Sequence, residues 1–294
     1  LNSQSFDIHA DDYALSESSD NDIIELCKRG KLNSISVIPN LRIFDSSVQK
    51  FLDTKKECQS IKVSVHLNFM EGKCCSHASE LPSLVDSDGY FTVSWGKLFL
   101  WNYIPILRRK IKRQLSAEIT AQISKCVAAG IVDAGAIRID SHQHPHMIPL
   151  VFEALANSIH QNDFKVEYIR NTCDPIHFYL GKKDGMKDLS ISNVIKCLIL
   201  NFYSGKVSRY LRKNNLENSY LCGVYFSGKM DERIRSVMPV FEAKSTAKKR
   251  RTELLFHPGL MQKNELTDEF RKTGFNEFHL SSNRKLEFNT CNSL

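Results

Sequence analysis

Short runs of alternating or unbroken apolar residues recur along the chain, separated by stretches whose apolar positions fall three or four apart. The first pattern predicts strands and the second predicts helices, because side chains return to one face every second residue in a strand and about every 3.6 residues in a helix. Ser5–Ala10 reads as a strand. A helix over Ser16–Gly30 follows, with Ile23, Ile24, Leu26 and Cys27 as its apolar stripe and Gly30 as its stop. Ser34–Pro39 and Ile61–Phe69 are further strands, with a helix over Asp45–Lys56 between them. The periodicity then breaks down from about Met70 to Leu115, where Asp86–Phe91 reads as a turn. A helix capped by Ser116 runs to Gly130. Strands over Ala136–Ser141, Phe164–Arg170, Ser219–Phe226 and Thr252–Pro258 alternate with helices over Met147–Asn162, about 190–214 and Arg233–Ala243.

Strand–helix alternation implies parallel strands joined by right-handed crossovers. About seven strands predict an α/β fold, a distorted parallel (β/α) barrel, rather than an open doubly wound sheet. No G-x-G-x-x-G follows the first strand, which removes support for a dinucleotide fold. No repeat or low-complexity linker divides the chain, so one domain is expected over residues 1–294. Barrel domains reach this length as single units, and 42% hydrophobic residues fill a sizeable core.

The formal net charge of +7 is modest for this length, and the basic residues are scattered, so no nucleic-acid partner is expected. Nine cysteines, an odd number with Cys74 and Cys75 adjacent and no C-x-x-C pair, argue against a disulfide framework and a zinc knuckle. A reducing cytoplasm is the expected location. No signal-type segment is visible, although the chain starts at Leu1 and residues upstream are not excluded. The longest greasy stretch, Leu98–Leu107, is too short to span a bilayer and contains Pro105, so no transmembrane helix is expected. The oligomeric state is open, a homodimer included.

Chemistry-bearing residues sit at strand ends. In a parallel barrel the reactive face lies at the C-terminal ends of the strands. Asp11 and Asp12 close the first strand, and His66 lies late in the third. The run His142-Gln143-His144-Pro145-His146 follows Ile139-Asp140-Ser141. Arg170 and His257 end two later strands. Singly, each has an ordinary reading as a turn, cap, ion-pair or core residue. Together they place carboxylates, imidazoles and a guanidinium on one rim. Two imidazoles and a carboxylate suit a divalent cation with positions left open for water, and a second carboxylate nearby could take that water's proton. The cation would also offset the repulsion between Asp11 and Asp12.

At these residues the sequence resembles the YdjC-like carbohydrate deacetylase family, which includes the chitooligosaccharide deacetylases. Ala10-Asp11-Asp12-Tyr13-Ala14-Leu15-Ser16 is similar to the family's A-D-D-F-G-L-S. Val65-His66-Leu67-Asn68, Asp140-Ser141-His142-Gln143-His144-Pro145-His146 and Glu253 through His257-Pro258 resemble its later motifs in the same order, and Asp88-Gly89-Tyr90-Phe91 its D-G-x-F turn. The chain departs from the pattern at Tyr13-Ala14 and at Arg138, where the family has Phe-Gly and His. The tail from about residue 265 matches nothing in it. The resemblance implies a polysaccharide-deacetylase-like barrel that removes acetyl groups from N-acetylated mono- or oligosaccharides. By position, Asp12, His66 and His142 would hold one divalent metal ion, magnesium or zinc among the candidates. Asp11 would be the general base and His257 the general acid. Arg170, Asp140, His144 and His146 would support these groups or meet substrate. The alternatives are a metallohydrolase of another amide or ester, and a non-catalytic glycan-binding relative.

Lys97–Leu115 joins aromatic and aliphatic residues to Arg108, Arg109, Lys110, Lys112 and Arg113. It reads as part of a lid-like insertion over about 70–115 or a sugar platform, as an attachment to an anionic membrane surface, or as a packed helix with a solvated basic end. Lys248–Arg251 reads as a solvated charge run.

Overall fold

The structure is a computed structural model that describes residues 6–294 apart from 59, 183 and 188. Seven strands, β1 (Phe6–Tyr13), β2 (Ser34–Val37), β3 (Lys62–Leu67), β4 (Ile137–Ser141), β5 (Val166–Ile169), β6 (Ser219–Cys222) and β7 (Arg251–Phe256), form one sheet in the order β5-β4-β3-β2-β1-β7-β6. Every pairing is parallel. The sheet curls into a distorted barrel whose outer strands β5 and β6 do not form a ladder. The gap is bridged just past β5, where Leu221 N–H donates to the Cys173 carbonyl (3.0 Å) and the Asp174 carboxylate accepts the Val224 N–H (3.0 Å).

Nine helices lie among the described residues: α1 (Glu17–Lys28), α2 (Phe44–Thr54), α3 (Trp95–Trp101), α4 (Pro105–Ala128), α5 (Pro149–Gln161), α6 (Ile191–Lys213), α7 (Ile234–Lys248), α8 (Thr273–His279) and α9 (Asn283–Ser293). None of them is long and apolar enough to cross a membrane. Ser16 caps α1 by accepting the Ser19 N–H. The expected cap at Ser116 is a correction. Helix α4 starts eleven residues earlier, at Pro105, whose fixed φ suits a first helical position. Ser116 lies inside that helix, and its hydroxyl donates to the Ala154 carbonyl of α5 (3.1 Å). The basic turns preceding Ser116 hid the helical period.

Parallel pairing aligns the two faces of each strand. Ala10 pairs with Ile35, Ile35 with Val63, and Val65 with Ile139, and these apolar side chains belong to the core beneath the helices. The other face turns inward and is polar, unlike the branched-aliphatic filling usual in barrels. The His9 ring bonds the Ser34 and Ser36 hydroxyls, both at 2.6 Å. Arg138 reaches Asp7 at 3.2 Å, and its guanidinium stacks over Tyr168, 4.2 Å from the ring centroid. Tyr168 donates to Glu253, and Ser36 donates to Asp140. Most of these groups pair with one another, as buried polar groups generally do, although Arg138 Nε and Glu253 Oε1 find no hydrogen-bond partner among the described residues. They leave a charged floor under the C-terminal rim.

Candidate active site

A regular strand sends neighbouring side chains to opposite faces. Asp11 and Asp12 nevertheless both face the site, because the pairing register of β1 shifts between Ala10 and Tyr13. Asp12 adopts φ 69°, a left-handed value uncommon outside glycine. Gln143 and His144, in the loop just past β4, have similar values, 65° and 63°. Such conformations cost energy and persist where surrounding contacts enforce them.

Asp12 Oδ1 is the meeting point. It lies 2.9 Å from His142 Nδ1 and 3.6 Å from His66 Nε2. One donor atom from each of Asp12, His66 and His142 falls within 4.8 Å of the others, and all three residues are buried. Each ring is held from behind by a carboxylate. Asp140 Oδ1 stands 2.6 Å from His66 Nδ1, and Glu71 Oε2 stands 3.2 Å from His142 Nε2. A carboxylate that takes one ring N–H fixes the tautomer and leaves the other nitrogen a lone pair for a cation. His66 Nε2 is buried and has no hydrogen-bond partner among the described residues, and His142 Nε2 meets Glu71 as a close ion-pair contact without hydrogen-bond geometry. An unpaired nitrogen aimed at a carboxylate across 3.6 Å fits a divalent cation between them.

The electrostatics agree. Burial alone would drive the His66 pKa down, yet Asp11 and Asp140 raise it to about 10. His142 is likewise raised against burial, by Asp12 and Glu71. Burial would lift the two aspartates, but Arg170 and His66 hold Asp11, and His142 holds Asp12, well below the usual carboxylate range. Glu71 is brought to about 2 against burial by His279 and His142. The pocket therefore stabilises positive charge at the centre of its rim.

Asp11 is gripped by Arg170, whose Nη1 and Nη2 donate to its two oxygens at 2.9 and 2.8 Å. Asp11 also lies 3.1 Å from His9 Nε2. His257 faces Asp11 at 4.0 Å through Nε2, and its Nδ1 stands 3.4 Å from Glu287 Oε2. Glu287 also accepts the His257 backbone N–H. The turn after β7 needs a glycine. Gly259 has φ +97°, and a Cβ there would sit 2.3 Å from Ser19 Cα. Arg284 on α9 clamps this turn, donating to the Gly259 carbonyl at 2.7 Å and to Asp12 Oδ2 at 3.0 Å.

These groups open into a cavity of about 430 Å³, within the size range of small-ligand sites. Asp11, His66, His142 and His257 line it, with Phe275 packed edge-on to His142 and Phe278 to His257 at ring-centroid distances of 6.4 and 5.4 Å. His144 also lines it, and burial together with Lys196 and Arg170 holds its pKa well below the ordinary imidazole value. His146 lies behind the rim, bonded to Ser141 and, at 2.9 Å, to the Arg170 carbonyl. Asp140 and Arg170 stand in the floor rather than on the cavity wall. No described residue of Lys97–Leu115 lines the cavity. The sequence reading missed Glu71, His279, Arg284 and Glu287. Glu71 follows His66 by five residues, a signal that could have been weighed; the other three lie in the tail, far from any motif.

The family model described as YdjC-like protein matches residues 7–293, the tail included. Among similar proteins, a carbohydrate deacetylase of Clostridium beijerinckii is 26% identical over 163 residues, 55% of this chain and 59% of that protein. A carbohydrate deacetylase of Danio rerio is 24% identical over 57% of this chain and 50% of its own length. A chitooligosaccharide deacetylase of Yersinia enterocolitica is 24% identical over 56% and 59% respectively. The chain thus spans between half and three-fifths of these relatives. A solved structure from Enterococcus faecalis V583, described as a candidate cellobiose-phosphate cleavage protein, superposes with a TM-score of 0.57. That likeness covers 98% of this chain and 94% of the other at 18% identity, and it shows the shared fold.

Proposed function

This chain belongs to the YdjC-like protein family, and from that premise we propose that it is a metal-dependent carbohydrate deacetylase. Its substrate class is N-acetylated sugars or oligosaccharides, as the names of its relatives suggest. The observation that carries the reading is the convergence of Asp12, His66 and His142 around one point, each ring backed by its own carboxylate.

Asp12 Oδ1, His66 Nε2 and His142 Nδ1 would hold one divalent ion, magnesium or zinc. The ion would supply a positive centre that polarises an amide oxygen and acidifies water. The remaining steps belong to the chain. Asp11, ionised and oriented by Arg170, accepts the proton of the attacking water. His257, positioned by Glu287, gives a proton to the departing amine. Phe275 and Phe278, which line the cavity, offer apolar surface to a pyranose ring. His144, kept neutral by its surroundings, can accept or donate a single hydrogen bond to a sugar hydroxyl. All nine cysteines are unpaired, which fits a reducing compartment such as the cytoplasm.

The test is an acetate-release screen over N-acetylated mono- and oligosaccharides, with protein stripped of metal and then restored with magnesium or zinc. Release that requires metal and is lost in Asp12→Ala supports the reading. Metal-independent release, or none on any acetylated sugar while another amide or ester is cleaved, overturns it.

A further inference from the structure

One feature of the chain takes no part in the chemistry above. On the N-terminal half of α6, Ile191, Ile195, Leu198 and Phe202 recur at helical spacing, yet they face solvent: Ile191 and Phe202 are each 79% exposed. Such a stripe ordinarily faces a core. Beside it, the start of α4 carries Ile106, 90% exposed, and Tyr103 just before it is 58% exposed. The two helices are fastened together. The Tyr103 and Tyr203 hydroxyls bond to one another. Glu153 of α5 joins Arg108 (2.7 Å) to Lys206 (2.9 Å). The exposed apolar residues of α4 and α6 are therefore parts of one ridge, larger in kind than the scattered apolar residues normal on a surface.

The ridge has a basic flank. Ile106 also borders an open groove of about 720 Å³ between α4 and α5, lined by Arg109, Lys110, Lys112 and Arg113. No acidic residue lines that groove, and these four cations form no ion pair among the described residues. Cations left unpaired beside exposed Ile, Leu, Phe and Tyr make the combination that seats a protein on an anionic lipid surface, with apolar side chains in the acyl boundary and cations at the phosphates. The same stretch of α6 turns Ser192, Asn193 and Lys196 into the active-site cavity. Docking by this ridge would thus hold the cavity beside the surface.

We propose that the ridge formed by α6 and the start of α4, with its flanking cation groove, docks this protein on an anionic membrane surface. This does not depend on the deacetylase reading. Each basic residue close to such a surface strengthens partition about fivefold, and the attraction is screened by salt.

The full chain is floated with vesicles of phosphatidylcholine alone, and with vesicles in which roughly a third of the lipid is phosphatidylserine. Binding to the anionic vesicles should exceed binding to neutral ones by about tenfold or more, and should weaken as salt rises from about 0.1 M to 1 M. I106D/F202D alters two exposed side chains and should keep the wild-type melting temperature while losing binding to both vesicle types. R109E/K112E should lose the preference for the anionic lipid. The proposal is overturned if the wild type binds neither vesicle, or if both variants bind as the wild type does. It is also overturned if the wild type is a dimer that binds no vesicle and that I106D/F202D converts to a monomer, for then a second copy covers the ridge.

Discussion

Arg170 meets Asp11 with both terminal nitrogens, Nη1 2.9 Å from Oδ2 and Nη2 2.8 Å from Oδ1. The same Nη2 lies 3.0 Å from Asp140 and also contacts Glu253. One fully buried guanidinium therefore balances three buried carboxylates. Removing one partner of a buried ionic group leaves the rest unpaired, which costs about 3–5 kcal/mol. Arg170→Met should lower the unfolding free energy by that order in urea titration. Arg170→Lys should recover only part, since an ammonium cannot reproduce the two-pronged contact. A fully stable Arg170→Met variant would show that the carboxylates are not ionised together.

Two adjacent aspartates should fail differently when replaced. Asp12→Ala removes a ligand atom, so cation affinity measured by calorimetry and acetate release should fall together. Asp11→Asn keeps the ligand set and the shape, so cation affinity should stay within a few-fold while turnover drops by about 10²–10⁴. Equal losses of cation affinity in both variants would place Asp11 among the ligands instead of beside them.

The limits of reading this site from sequence follow from β1. Alternation in Phe6–Tyr13 puts Asp7, His9 and Asp11 on one face, and their shared face is visible in the residues alone. That Asp12 joins them is not, because it depends on a left-handed turn of the backbone at φ 69° that a pattern of residue types does not encode. The same alternation marks Ser34 and Ser36, Ser64 and His66, and Arg138 and Asp140 as one face of their strands. Which face turns inward is decided by pairing between strands far apart in the chain, so the polar interior was hidden. The succession of strands and helices along the chain and the strand-end positions of His66, His142 and His257 were legible because each is local, whereas the sheet order, with β1 beside β7, was not. Glu287 and Arg284 reach the rim only through the packing of α9. Nothing near them in sequence announces that role.

The cation-free protein should show a pH signature at His66. Its folded pKa is about 10 against an ordinary 6.5, so the imidazolium stabilises the fold fully below pH 6.5. That contribution is lost as pH rises towards 10, and amounts to at most about 5 kcal/mol. Bound cation must expel this proton, so cation affinity should climb by up to tenfold per pH unit across the same window. Calorimetry with magnesium at about pH 7 and pH 9, in buffers of different ionisation enthalpy, measures both affinity and proton release. Affinity that is flat with pH, with no proton released, would exclude His66 as a protonated ligand awaiting its ion.

His142 supplies the last prediction, because it works in the mirror sense to His66. His66 turns Nδ1 to Asp140 and Nε2 to the centre, whereas His142 turns Nε2 to Glu71 and Nδ1 to the centre. Glu71 lies 3.0 Å from His279 as well, and its carboxylate, 3.2 Å from His142 Nε2, stands where that proton must go for Nδ1 to ligate. Glu71→Gln keeps an acceptor oxygen and removes the charge, so it should weaken cation binding modestly. Glu71→Leu removes the acceptor too and frees the ring to choose the other tautomer, so affinity should fall about 10–100-fold, the usual effect of losing such a partner. The difference between the two variants separates tautomer control from charge. Proton-detected spectra of the imidazole nitrogens would report the same switch without any substrate. If Glu71→Leu binds magnesium or zinc as the wild type does, His142 is oriented by something other than Glu71.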